Sequence, residues 1–207
     1  MTTRDVISNH QHLGNDALHK AFQALAIRLQ ENGARPVEIV VCGGAALILT
    51  GLVPRTTKDV DVVALSTSEV LRSPDPLPDD LLRAVAEAAE DMGISENWLN
   101  NGPSSGEGGL FQMGLPAGLE GRMCSRKYGP ILTVHLIDRL DQIYFKLYAA
   151  VDRGGYHIED LLALEPASDE IKGAALWAMS HDVSAGFAAI LKDLLGKIGY
   201  SNVADEL

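Results

Sequence analysis

The chain has 207 residues, 46% of them hydrophobic and 22% charged, which suits one good-sized domain or a domain with a small helical extension. Its 17 basic and 28 acidic residues give a formal charge of −11, which opposes non-specific binding to a nucleic-acid backbone but leaves room for a local basic groove. No apolar stretch reaches bilayer-spanning length, and Met1 to Leu13 is polar without the apolar core of a secretion signal, so the expectation is a soluble cytoplasmic protein with no membrane contact. Cys42 and Cys124 are the two cysteines. Neither has a CxxC partner, so zinc and disulfide readings are both poor.

In chain order, Leu18, Phe22, Leu25, Ala26 and Leu29 recur at three- and four-residue steps and predict a helix over 15–33, stopped by Gly33. The segment PVEIVVCGG reads as a short buried strand ending at Gly43-Gly44. AALILTG then fits a buried helix closed by Gly51, and KDVDVVAL a second strand. SPDPLPDD is a loop with a helix-start signal, followed by a helix over 79–92. Residues 93–130 are rich in glycine and predict a loop with one or two short strands. ILTVHLI is a further strand. From Asp138 the pattern turns helical, with Leu140, Ile143, Tyr144, Leu147 and Val151 as an apolar stripe. Two more helices are expected near 168–181 and 185–198. A mixed α/β half, 1–137, thus precedes a helical half, 138–207.

The stretch VCGGAALILTGLVPRTTKDVDVV, residues 41–63, carries the chemistry. Side chains alternate along a strand, so Asp59 and Asp61 share a face while Val60 and Val62 face the core. Two carboxylates roughly 7 Å apart along a strand converge on hard divalent cations, and Mg2+ suits oxygen ligands while keeping positions for phosphate oxygens. Gly43 and Gly44 permit close approach of a ligand to the backbone, and the following helix offers unpaired N–H groups to an anion. The bland alternatives are a tight turn and two solvated acids.

This stretch resembles the signature of DNA-polymerase-beta-type nucleotidyltransferases, in the small bacterial branch that contains toxin-like proteins of abortive-infection and toxin–antitoxin systems. Gly43, Gly44, Arg55, Thr56, Asp59 and Asp61 match its first segment. WLN, 98–100, also fits that branch. FKLYAAVDRGGYHIEDLLAL, 145–164, resembles the second segment, with Lys146 and Asp160 matching. The resemblance implies an α+β fold, a nucleotidyltransferase-like mixed sheet flanked by helices with a C-terminal helical region. It implies Mg2+ held by Asp59 and Asp61, and an NTP as substrate. The nucleoside monophosphate would pass to an acceptor hydroxyl, on tRNA, a protein or a small molecule, and an antitoxin is a candidate partner. The alternatives are a catalytically decayed nucleotide-binding or toxin–antitoxin-type interaction protein, and a structural protein with no metal affinity.

The chain departs from that pattern at three places. Ala45 stands where active members carry a phosphate-touching Ser. The strand ILTVHLID offers His135 and, at its end, Asp138 in place of a central third carboxylate. His157 occupies a position that is often acidic, and is expected at the surface. Arg55 is either a loop arginine in water or a group over the phosphates. Thr57 either favours extended backbone or contacts a metal-bound phosphate. Arg139, Gln142, Lys146, Ala149 and Arg153 share one helix face, which is either solvated or, as the resemblance implies, turned to the triphosphate through Lys146. Asp160 either holds Lys146 or Arg153 or only starts a helix turn. Trp98 is expected to pack.

Overall fold

The computed structural model describes residues 12–67 and 70–207. The polar N-terminal stretch through residue 11 lies outside them. The first helix, α1, spans Asn15–Glu31 and buries the predicted Leu18, Phe22, Leu25, Ala26 and Leu29. The strand β1 follows at Val37–Cys42. The helix α2 covers Gly43–Leu49, so the two glycines form its first turn rather than the strand's end. Thr50 caps it through its hydroxyl on the Ala46 carbonyl at 2.7 Å, one residue before the expected Gly51.

The strand β2 spans Val60–Thr67, and Asp59 lies just before it. A three-residue strand, β3, Val70–Arg72, pairs back onto β2. The helix α3, Asp79–Met92, has the predicted bounds and ends on Gly93 in the left-handed region. The glycine-rich middle holds β4 (Leu99–Asn100), a one-turn helix α4 (Leu110–Met113) and β5 (Cys124–Tyr128). Then come β6 (Leu132–Leu136) and the helices α5 (Arg139–Arg153), α6 (Tyr156–Ala163), α7 (Ser168–His181), α8 (Ala185–Lys197) and α9 (Ser201–Glu206).

The strands form one mixed sheet in the order β3-β2-β1-β6-β5, with β4 also on β2. The central β1 runs antiparallel to β2 and parallel to β6. One face of the sheet packs on α1 and α3, with Ile39, Val41, Val60, Val62 and Val134 meeting Phe22, Leu25, Leu81 and Val85. Trp98 is fully buried there, its indole N–H donating to the Val85 carbonyl at 3.1 Å. The other face carries Val40, Cys42, Val63 and Ile137 against Phe145, Leu110 and Leu119. The later helices build a second core of Ile143, Leu147, Ala174 and Leu191, into which Leu47 and Val53 project. The fold is therefore the α+β mixed sheet with a C-terminal helical region expected from the sequence.

Alternation explains why the acids are not in the core. Val60 and Val62 belong to the α1–α3 face, so Asp59 and Asp61 point to the other side, toward α5. There Asp61 stands opposite Cys42, where β1 ends.

Candidate functional site

A cleft of about 860 Å³ opens where β1 ends, β2 begins and α5 and α6 pack beside them. Asp59, Asp61, Lys146, Gly43, Gly44, Arg55 and Thr57 all line it. Two acids at the start of β2, two cations from the loop and α5, and the glycine turn therefore meet in one place, although Arg55 and Lys146 are 91 residues apart in sequence.

The glycines have a steric reason to be glycine. Gly43 has φ of +66°, and a Cβ there would stand 2.8 Å from Oδ2 of Asp61. A Cβ on Gly44 would stand 2.8 Å from the Thr57 hydroxyl and 3.0 Å from an Arg55 guanidinium nitrogen. The space freed by the missing side chains is thus taken by Asp61, Thr57 and Arg55. Ala45, in the place of the usual Ser, is fully buried in the α1–α3 core, so a hydroxyl there faces apolar side chains rather than the cleft.

The cations are organised by Asp160. Its two oxygens accept from Arg55 Nε and Nη2 at 2.9 and 2.7 Å, and Oδ2 also accepts from Lys146 Nζ at 2.6 Å. Lys146 is only 4% exposed and Asp160 only 3%, so α5 does not present a solvated face here. Gln142, one turn earlier, is fully buried, and Arg139 instead binds Glu170 and the Leu164 and Glu165 carbonyls just past α6. Arg153 lines the cleft in an exposed pair with Asp152. A carboxylate under an ammonium and a guanidinium leaves a net positive pair, fixed in orientation, at the cleft wall.

Asp61 is electrostatically uncomfortable. Burial raises its carboxyl pKa from the ordinary 3.8 to about 6, and the charge of Asp59 adds to this, against the pull of Lys146, Arg153 and a hydrogen bond from Asn100. The same acid pushes the buried Cys42 thiol well up, after burial itself. Thr57 is 7% exposed, and its hydroxyl lies 3.2 Å from the Asp59 carbonyl.

His157 corrects the expectation of a surface residue. It is 8% exposed, and its Nδ1 is buried without a hydrogen-bond partner. Gly154 and Gly155, with φ of +60° and +57°, turn the chain so that α6 lies back along α5. Burial and the nearby Lys146 hold the imidazole neutral, with its pKa lowered to about 4. Tyr156, which sequence reasoning does not single out, packs against it with ring centroids 4.1 Å apart.

Neither proposed source of a third carboxylate reaches the pair. Asp138 caps α5 by accepting from the Leu140 N–H, and His135 lies between Ser125 and Glu38 at 2.7 and 2.9 Å, outside the cleft lining. The residue beside Asp61 on the strand flank away from β1 is Asn100 of β4, an amide, whose oxygen accepts from the Gly102 N–H at 2.8 Å. Among the described residues no group of three His, Cys, Asp or Glu converges on a cation position. The chemistry of the pair nonetheless suits a hard divalent cation, because the charge of two neighbouring carboxylates, Asp61 ionised against burial, would be relieved by one.

No curated protein and no solved structure gave a match to the chain. Residues 16–100 match a family model described as a nucleotidyltransferase of unknown function (DUF6036). That span runs from α1 to β4, taking in both glycines, Arg55, the acid pair and Asn100, and ends before Lys146. The segment that carries the acids is thus similar to the nucleotidyltransferase superfamily, with no particular branch picked out.

Proposed function

We propose that the protein transfers a nucleoside monophosphate from an NTP to an acceptor hydroxyl. The observation that carries this reading is the single cleft into which Asp59 and Asp61 open beside Arg55 and Lys146. Asp59 and Asp61 hold the metal. A Mg2+ ion held by these two acids would screen phosphate charge and acidify the attacking hydroxyl. Arg55 and Lys146, steadied by Asp160, face the β- and γ-phosphates and offset charge on the leaving group. The hydroxyl oxygen bonds to the α-phosphorus, the bridge to the β-phosphate breaks, and pyrophosphate and a proton are released. The chain's work is positioning and electrostatics. The acceptor is a hydroxyl of tRNA or of a protein, met in the cytoplasm, and an antitoxin is the regulatory partner.

The test is incubation with α-labelled NTPs, Mg2+ and cell extract. A labelled acceptor with wild type that disappears with Asp59→Asn/Asp61→Asn supports transfer. No labelled product, or equal labelling by the variant, defeats it. A second reading, a nucleotide-binding protein without turnover, is favoured by the lack of a third convergent carboxylate among the described residues, with the amide Asn100 beside Asp61. Calorimetric binding of Mg2+·NTP together with no transfer selects it.

A further inference from the structure

We propose that the exposed ring of Tyr156 is the platform on which the nucleobase of the bound NTP stacks. The inference rests on the nucleotide reading of the cleft and names the part of the ligand which that reading leaves unplaced. The acids and cations account for the triphosphate end. A base needs a flat apolar surface, and the cleft wall offers apolar as well as polar area.

The wall contains Phe145, Tyr148 and Tyr156 as its Phe and Tyr side chains. Phe145 is 6% exposed, and both it and Tyr148 pack against Trp177 with ring centroids 5.7 and 5.9 Å away. Tyr156 differs: it is 57% exposed. Its ring is not loose, however. It is backed by the His157 imidazole at 4.1 Å and an interplanar angle of 35°. His157 is itself buried, so the backing is rigid. Lys146 Nζ and Arg55 Cζ lie 5.6 and 5.7 Å from the ring centroid. The two groups assigned to the phosphates therefore lie over the tyrosine ring, which puts it within one nucleotide's length of them. Every base has a π-face, so stacking of this kind tolerates all four bases.

Calorimetry compares Mg2+·ATP with Mg2+·tripolyphosphate, which has the phosphates but no base. Tyr156→Leu is expected to weaken ATP about 5- to 150-fold while tripolyphosphate changes by no more than about twofold. Tyr156→Phe, which keeps the ring, is expected to bind ATP like wild type. 2-Aminopurine triphosphate bound to the unaltered protein is expected to lose fluorescence by stacking, a readout independent of any variant. Equal losses for both ligands, no loss of ATP in Tyr156→Leu, a Phe variant as weak as the Leu variant, or an unquenched 2-aminopurine at saturation overturns the proposal. Wild type that binds tripolyphosphate but not ATP also overturns it while sparing the anion site. Wild type that binds neither removes the nucleotide reading itself.

Discussion

Replacing Asp61 by asparagine is expected to make the metal-free protein more stable at alkaline pH. The carboxyl group has a pKa of about 6 against an ordinary 3.8, first through burial and then through Asp59. At 1.36 kcal/mol per pH unit, that gap makes the ionised group oppose folding by about 3 kcal/mol. The sign follows from proton binding. The folded chain holds this proton more tightly than the unfolded chain, so the penalty is complete above the folded pKa. It fades as pH falls through about 6 and is gone below 3.8. Asparagine is nearly isosteric, carries no charge and keeps an acceptor oxygen for Asn100. If it relieves most of the penalty, the melting temperature of a chain this long rises by about 4–12 °C. Urea melts in EDTA at about pH 8 and about pH 4.5 measure the effect, with a gap between variant and wild type at the first pH that shrinks at the second. A variant less stable than wild type at the higher pH, or a gap equal at both, refutes the electrostatic argument. The same substitution removes a proposed metal ligand, so the stabilised variant should no longer gain stability from Mg2+·NTP.

Asp160→Asn leaves Lys146 as a buried ammonium facing an amide, and is expected to cost about 3–5 kcal/mol in urea melts, with Lys146→Met in the same chain recovering much of the loss. Equal stability of wild type and Asp160→Asn counts against that ion pair. His157, held neutral with a pKa near 4, favours the folded state above the unfolded value of 6.5, and that contribution declines as pH drops toward 4. His157→Gln should therefore flatten stability between these pH values, and an NMR titration of the imidazole that shows an ordinary midpoint contradicts the burial argument.

The regular elements are legible in the sequence where one periodicity dominates. The apolar steps of α1, the Pro/Asp start and glycine stop of α3, and the stripe of α5 each specify an element without help from the rest of the chain. One or two short strands are expected within 93–130, but the place of β5 is not legible, because it is an edge strand whose Cys124, Ser125 and Lys127 are exposed, leaving no alternation to read. The helix α6 is short and follows two glycines, so its existence depends on packing against α5. The same division runs through the site. Asp59 and Asp61 share a face by alternation alone. That Asp160 holds Lys146 is one of the readings open in the sequence, but its second pairing, with Arg55 across 105 residues, leaves no trace in local patterns. Nor do they show that Asn100 stands beside Asp61, or that Gly43 and Gly44 are spaces occupied by Asp61, Thr57 and Arg55.

Calorimetric titration of Mg2+·NTP into wild type and into Asp59→Asn/Asp61→Asn tests the central claim most directly. Saturable binding by wild type that requires Mg2+ and is lost in the double variant is the predicted result. Binding that persists unchanged in the variant, or in EDTA, or no binding by wild type, contradicts the assignment of this acid pair to a nucleotide-bound metal.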